Sequence, residues 1–347
     1  MTPHGQLRPL GATGAFGLRL ALLGLAMLSI SSHAKNYRLK FAMLAPDRSV
    51  WGKHFKAISR DLAARTDGRV KLKVYAGGVQ GDEATMVRKM RIGQLHGAGF
   101  LAKGINAVCP DSTVLSIPLL FRTEAEAIHC LTALDPHLRK QAEKQGYHII
   151  GWTNQGFAYL FGRDDVRDIA SLRRAKPWVP SDDVFGQALF DACDVSPIPA
   201  QVSDVLTGLQ SGLIRTVFTP PIGMIAMQWH TRASYHLDLG LFYSFGAVVI
   251  TNKQWKKLPD DVRGIVETVF TKHVAALNKG IGDQNAEALQ VLGKSITTVT
   301  PTPRALAEFE ELNRDLVKRL SKKTFSEEAL QILQDALREF RDKAPAP

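Results

Sequence analysis

The sequence predicts an α/β fold, and three observations lead to that prediction. Strand-like alternation gives way to helical spacing in the order strand, helix, strand, helix, which favours a mostly parallel sheet with right-handed crossovers. The 347 residues are 45% hydrophobic and 22% charged, a globular balance long enough for about two domains. No internal repeat and no low-complexity segment appears, so neither a solenoid nor a disordered chain is indicated.

The first half of the chain contains the clearest elements. Alternation of apolar and polar residues predicts strands at Tyr37–Met43 and Arg69–Tyr75. Apolar positions at helical spacing predict a helix from Phe55 to Ala63, which ends at Thr66-Asp67-Gly68. A short helix is predicted around Met86–Met90.

The second half predicts further alternating elements. Strand signals occur at 148–152, 157–161, 176–179, 214–218 and 247–251, and helical signals at 124–133, 184–192 and 203–210. The longest predicted helix begins near Pro259, where a proline and two aspartates suit a first turn, and continues beyond Leu289. Two more helices, near 304–320 and 326–340, are predicted to close the chain.

Residues 1–34 have the composition of a secretory signal peptide. Arg8 and Arg19 precede an apolar run, and small Ser32 and Ala34 precede a cut that is predicted after Ala34. The run is roughly 11 residues long, against the ~20 that a membrane-spanning helix needs. A permanent N-terminal anchor is the alternative. We predict export to the periplasm.

The charge of the chain is basic but dispersed. The formal net charge is +11, and removal of two arginines with the signal peptide would leave 42 basic against 33 acidic residues. Basic residues stand singly among acidic ones, with no basic run interleaved with aromatics, so nucleic acid is not a predicted partner. We interpret the charge as a solvated basic surface.

Motifs for catalysis or metal binding are missing from the sequence. There is no Gly-x-Ser-x-Gly elbow, no P-loop and no dinucleotide fingerprint. His230 and His236 are six residues apart, unlike His-x-x-x-His ligands, and are predicted to be surface or satisfied polar residues. We therefore predict no cofactor, no bound metal and no enzymatic activity.

Cys109, Cys130 and Cys193 are the only cysteines. They contain no C-x-x-C pair and form no disulfide framework. One disulfide is possible in an oxidising compartment, and the sequence leaves its pairing open.

Several motifs resemble those of the TRAP transporter substrate-binding proteins. Ala64–Tyr75 followed by Gly77–Glu83 resembles that family's helix ending in Thr-x-Gly, its strand, and its Gly-Gly-x-x-Gly-x-x-Glu-like loop. The likeness covers roughly Asn36 to Phe340 and continues in the segments Ile92–Leu95, Ile117–Phe121, Leu206–Gly212 and Asn252–Asp260.

The resemblance implies a two-lobed periplasmic binding protein fold with a hinge and a long helix, near Asp261–Leu292, spanning both lobes. The lobes would close over a small organic ligand, and the membrane permease subunits of a TRAP-type transporter would receive it. The expected boundaries are a signal peptide at 1–34, lobe I at 35–156 plus about 246–275, lobe II at 157–245 plus about 290–305, and C-terminal helices packing on the lobes at 306–347.

Three positions depart from the family pattern. Trp178 in Lys176–Pro180 stands where most members carry a carboxylate-binding arginine, Ala158 stands where a second arginine is usual, and Thr219 replaces an asparagine. Phe157 and Phe218 add apolar surface beside them. Burying a carboxylate without a partner is costly, so we hypothesise a hydrophobic or amphipathic ligand rather than a small dicarboxylate.

The predicted ligand-binding residues combine these positions with aromatic residues near the expected crossings between lobes. They are Trp178, Phe157, Thr219, Phe218, Trp51, Phe100, Ala158, Tyr243 and Phe245. In the alternative, Trp178 packs in a lobe core and Arg163 or Arg122 supplies the positive charge. Glu83 is predicted to cap the helix that follows it rather than to touch the ligand.

Two other functions remain open at this stage. One is a periplasmic lipid or hydrophobic-ligand carrier or sensor that works without a TRAP permease. The other is a hydrolase whose site the sequence does not reveal.

Overall fold

The computed structural model describes residues 36–181, 183–320 and 324–343. The predicted signal peptide and its cleavage site lie outside these residues. Within the described part of the chain, every helix is too short or too polar to cross a bilayer.

The elements alternate between strands and helices along the chain. The first half contains β1 (Tyr37–Met43), α1 (Val50–Arg65), β2 (Val70–Tyr75), α2 (Glu83–Arg91), β3 (Gly97–Phe100), α3 (Ala102–Val108), α4 (Glu124–Lys144), β4 (Tyr147–Gly162) and α5 (Ile169–Leu172). The next elements are β5 (Trp178–Pro180), α6 (Val184–Ala192), β6 (Ile198–Ala200), α7 (Val202–Ser211), β7 (Thr216–Thr219), α8 (Pro221–Ala226) and β8 (Tyr235–Leu237). The chain ends with β9 (Phe242–Thr251), α9 (Asn252–Trp255), α10 (Asp260–Leu292), β10 (Thr297–Val299), α11 (Pro303–Leu320) and α12 (Glu327–Lys343).

The main sheet is mixed, so the prediction of a mostly parallel sheet was wrong. Its strand order is β10-β8-β4-β9-β3-β1-β2, with β7 also paired to β4. β1 runs parallel to β2 and β3, and β8 runs parallel to β10. In contrast, β9 is antiparallel to both β3 and β4, and β7 and β8 are antiparallel to β4. The strand-helix-strand order of the first half therefore does not extend to the strands that complete the sheet.

The strands β4 and β9 connect two parts of the molecule. We call the region of β1, β2 and β3 the first part, and the region of β7, β8 and β10 the second part. The start of β4 and the end of β9 lie in the first part, and the end of β4 pairs with β7 and β8 in the second.

β4 is one strand of 16 residues, where the sequence predicts two strands at 148–152 and 157–161. The polar residues between them interrupt the alternation, but the backbone keeps pairing with β9 through two register shifts, at Ile149/Gly151 and Asn154/Gly156. Gly156 adopts a positive φ of 88° at the second shift, a conformation that glycine tolerates best. A bulge bends a strand without ending it.

The long helix α10 contacts both parts, as predicted. Its buried residues recur every three or four positions from Val262 to Leu292, which makes one continuous apolar stripe. The helix packs against α1 and β4 on the first part and against α8 on the second. The helices α11 and α12 follow it, and α12 packs on α4.

All three cysteines are buried and unpaired. Burial raises the pKa of each thiol to about 12. The disulfide that the sequence left open is not formed.

Candidate functional site

A cavity of about 610 Å³ lies where the two parts face each other, and we call it the central cavity. Its walls come from the start of α3, the middle of β4, the start of β9, and the ends of β5 and β7. This volume is within the range of small-molecule sites, about 300–1,000 Å³.

Most of the side chains that line the central cavity are apolar. The polar exceptions are Lys103, Asn106, Ser116, Gln155, Asp183, Thr219 and Ser244. Cavities of this composition bind ligands through apolar contact, and a few polar groups set the orientation.

Trp178 forms part of the wall and is 4% exposed. Its indole Nε1 donates a hydrogen bond to the carbonyl oxygen of Ala200 at 3.0 Å. The ring meets Trp229 edge-on at 5.3 Å and lies 5.7 Å from Phe218. Because its N–H is already paired, Trp178 offers the cavity apolar ring surface. The two roles that the sequence posed as alternatives, core packing and cavity wall, coexist.

Neither arginine suggested as an alternative cation lines the central cavity. Arg163 donates to the carbonyl oxygen of Leu209 at 2.5 Å, and Arg122 pairs with Glu310 at 2.6 Å. Among the described residues, Lys103 is the only lysine or arginine in the wall. The sequence reasoning missed it, because a single lysine in a short segment carries no periodic or motif signal.

The structure brings five of the nine predicted site residues into the central cavity. These are Ala158, Trp178, Phe218, Thr219 and Tyr243. Tyr243 also donates a hydrogen bond to Glu124 at 3.0 Å. The hydroxyl is therefore held by a residue outside the cavity wall.

The other four predicted site residues lie elsewhere. Phe157 lines a separate cavity of about 180 Å³ beside α10. Phe100, fully buried, and Phe245 pack in the hydrophobic core. Trp51 also lies in the core, with its ring stacked 6.1 Å from Phe55.

Several wall residues gave no signal in the sequence. Four large apolar side chains in the wall keep substantial exposure: Leu101, Val184, Val202 and Met227, between 38% and 61%. Leu101 precedes α3, and the other three belong to the segments around β5, β6 and β7. Exposed apolar side chains gathered around one opening mark a binding surface.

Glu83 stabilises one wall of the central cavity through hydrogen bonds to its backbone. Its carboxylate, 3% exposed, accepts hydrogen bonds from the backbone N–H of Leu101 at 2.6 Å and of Gly104 at 2.7 Å. Glu83 thus caps α3, and the expectation that it caps the helix following it was wrong. Asp82 caps that helix through the N–H of Thr85. Burial raises the pKa of Glu83 although both hydrogen bonds act in the opposite direction.

Two asparagines of α10 hold β4 where it passes between the two parts. Asn278 accepts from the N–H of Asn154 at 3.0 Å and donates to the carbonyl oxygen of Trp152 at 3.1 Å. Asn285 donates to the carbonyl oxygen of Gln155 at 2.9 Å. These bonds satisfy backbone groups around the second register shift, which the strand ladder leaves unpaired.

The predicted environment of the two histidines was wrong for His236. Its ring is 7% exposed and stacks on Phe161 at 5.0 Å, and its Nε2 has no hydrogen-bond partner. Burial lowers the pKa of His236. Nδ1 of His230 lies 3.1 Å from the carbonyl oxygen of Met224. Within the described ranges, no group of three or more histidine, cysteine, aspartate or glutamate residues is arranged to hold a metal ion.

Comparisons with known proteins agree on one family. Residues 41–324 match the family described as "Bacterial extracellular solute-binding protein, family 7". The C4-dicarboxylate-binding periplasmic protein DctP of Rhodobacter capsulatus is 26% identical over 318 residues, 89% of each chain. A solute-binding protein of Chromohalobacter salexigens is 24% identical over 197 residues, which span 56% of this chain and 58% of that protein.

The fold has a solved counterpart. A TRAP periplasmic solute-binding protein from Ochrobactrum anthropi, with its C-terminus bound in the ligand-binding pocket, superposes with a TM-score of 0.83. It is 18% identical and covers 90% of this chain and 98% of its own. At that identity the likeness shows the fold, which is that of an α/β periplasmic binding protein.

Proposed function

This chain belongs to the DctP family of bacterial extracellular solute-binding proteins, which are not enzymes, and we propose that it is the periplasmic receptor of a TRAP-type transporter. In this proposal the central cavity captures a small organic ligand and presents it to membrane permease subunits. The ligand is hydrophobic or amphipathic, not a small dicarboxylate.

The observation that carries the ligand proposal is the wall around Trp178. The family resemblance places a carboxylate-binding arginine at this position, and a second one at Ala158. Guanidinium groups donate paired hydrogen bonds to a carboxylate, which an indole with an occupied N–H and a methyl group cannot replace. A ligand with two anionic groups would therefore find too few hydrogen-bond donors and cations in this wall.

The size of the apolar wall supports a ligand with an apolar body. Burial of apolar surface contributes about 25 cal/mol per Å². A ligand that buries about 200 Å² of apolar surface would therefore gain roughly 5 kcal/mol before the entropic cost of binding. That gain does not depend on charged partners.

Lys103 favours an amphipathic ligand within this class. It stands at the start of α3, close to Glu83, and it is a cation in a mostly apolar wall. A ligand with one anionic group would place that group near Lys103 and its apolar body against Trp178 and Phe218. The exposed apolar residues at the opening would cover the remaining surface when the parts close.

The second register shift in β4 supports the proposed lobe boundary near residue 156. We propose that lobe I comprises 35–156 plus about 246–275 and that lobe II comprises 157–245 plus about 290–305, with the helices of 306–347 packed on them. The asparagines of α10 lie at this boundary. A bulged strand braced by side chains is a suitable place for a hinge.

The ligand proposal is tested by mass spectrometry of what co-purifies with the exported protein. We expect an apolar or amphipathic compound in near-stoichiometric amount, lost in Trp178→Ala. Trp255→Ala is the matched control, since Trp255 is partly buried, stacks on His148 at 4.3 Å and does not line the cavity. A tightly bound polar dicarboxylate would contradict the proposal.

The permease is tested separately. Membrane vesicles that contain the TRAP permease subunits of the same organism should take up the ligand only when the loaded receptor is added. If the receptor binds the ligand but no permease responds, the protein is instead a carrier or sensor of hydrophobic ligands. Turnover of the bound compound would contradict both functions.

A further inference from the structure

A second cavity, of about 410 Å³, lies at the other end of the strands that lead to the central cavity. His96 precedes β3, Tyr147 begins β4 and Thr251 ends β9, and all three line it. The central cavity is lined by residues at the opposite ends of β3 and β9. Along β9, Ser244 of the central cavity and Thr251 of the second cavity are seven residues apart, about 23 Å at ~3.3 Å per residue, so the two are distinct sites.

The wall of this second cavity, which we call the basic cavity, carries a net positive charge. Arg91, Lys253 and Lys257 line it, and no aspartate or glutamate does. Among the described residues, none of the three side chains makes an ion pair or a hydrogen bond. Cations gathered without carboxylate partners raise the local positive potential.

Neutral polar groups complete the wall of the basic cavity. Tyr147 lines the cavity but is 3% exposed and packs in the hydrophobic core, where its hydroxyl is inaccessible. Gln145 and Gln254 add side-chain amides to the same wall.

The partial negative charges at the C-terminal ends of helices do not by themselves explain why three cations gather at this cavity. The helices α2 and α4 end at the cavity, each with about half a negative charge at its C-terminus, and Arg91 lies in the last turn of α2. Lys253 and Lys257 belong to neither helix, because they lie in and after α9. Three full charges also exceed the two partial ones.

Positive charges in and near the basic cavity also affect the ionisation of His96. Burial lowers the pKa of His96, and the charges of Lys40 and Lys257 lower it further. Nδ1 of His96 accepts the backbone N–H of Lys40 at 3.3 Å. The imidazole is therefore a reporter of the charge in this cavity.

We propose that the basic cavity binds a small polyanion that carries two or more phosphate or carboxylate groups. The two lysines and the arginine neutralise its charge, and the side-chain amides of Gln145 and Gln254 donate to its oxygens. The volume admits a molecule of the size of pyrophosphate or citrate. Binding here is independent of the ligand in the central cavity.

The test is calorimetric titration of the exported protein at low ionic strength with pyrophosphate and, separately, with citrate. The variant Lys253→Glu/Lys257→Glu should weaken binding more than about tenfold, because two attractions become two repulsions. Lys256→Glu makes half of that charge change, at an exposed residue that does not line the cavity, and it should change binding less than about twofold.

One further readout and one substitute variant keep the result specific. Binding should raise the pKa of His96, followed by NMR of its imidazole, because an anion stabilises the protonated ring. If the double variant fails to fold by circular dichroism, Arg91→Gln takes its place. The two anions together distinguish phosphate from carboxylate selectivity.

Some outcomes would overturn the proposal. Absence of binding by either anion up to about 10 mM is one. Equal losses in Lys256→Glu and the double variant would indicate only the general charge of the protein. Loss of binding in Lys103→Met would place the anion in the central cavity. The first two results leave the apolar ligand proposed for that cavity untouched, whereas tight binding of citrate near Lys103 would count against it.

Discussion

Replacement of Glu83 by alanine tests how the wall of the central cavity is held. The carboxylate accepts two backbone N–H groups, from Leu101 and Gly104, and it is almost completely buried. A hydrogen bond to a charged group contributes about 1.5–3 kcal/mol. We expect Glu83→Ala to lower the free energy of unfolding by about 3–5 kcal/mol, a large fraction of the about 5–15 kcal/mol typical of a protein.

Urea unfolding measures that loss, and hydrogen exchange locates it. Amides of residues 101–104 should lose protection in Glu83→Ala, and the co-purifying ligand should bind more weakly because Lys103 moves with this segment. Asp82→Ala is the matched control. It removes the adjacent cap, on Thr85, and should cost about 0.5–2 kcal/mol without changing exchange at 101–104. Equal stability of the two variants, with unchanged exchange in both, would refute the reasoning.

Three further predictions concern other regions. Asn285→Ala should lower the free energy of unfolding by about 1–3 kcal/mol, because the Gln155 carbonyl loses its partner; unchanged urea stability would contradict the role given to α10. Burial lowers the pKa values of His148 and His236, so below about pH 6.5 the unfolded chain binds more protons than the native one. Stability should therefore fall from pH 7 to pH 5, less steeply in His236→Phe, and a flat profile would count against this. The three buried thiols, with pKa values raised to about 12, should react with Ellman's reagent at pH 8 only after unfolding, whereas rapid labelling of the native protein would show that they are accessible.

Local periodicity was sufficient to predict most elements. Tyr37–Met43 and Val184–Ala192 were predicted with the bounds that the structure shows. The long helix was also predicted from its first turn and its apolar stripe. These signals lie within a few residues of one another, so the sequence alone contains them.

The pairing of distant strands could not be predicted in this way. Gly97–Phe100 pairs with Ala247–Ile250 in the antiparallel direction, although the two segments are about 150 residues apart in sequence. The mixed character of the sheet follows from this pairing and from that of β4 with β9. Neither pairing can be recognised from the sequence of a single strand, because alternation of side chains does not identify the partner strand.

The two adjacent residues Phe157 and Ala158 illustrate the limit for the site. Successive side chains of a strand point to opposite faces, and only Ala158 lines the central cavity. The register shift at Asn154/Gly156 sets which of them does so. A one-residue shift exchanges the faces, so the sequence could mark this position but not its orientation.

The sequence by itself determined the α/β class, the order of most elements and the motifs of the family, because these depend on residues close together in the chain. Only the tertiary structure decided that Lys103 and Trp178 line the same cavity, that Glu83 caps α3, and that the wall of the basic cavity contains no carboxylate. Each of these depends on segments far apart in sequence, which hydrophobic burial and backbone pairing bring together in the folded chain.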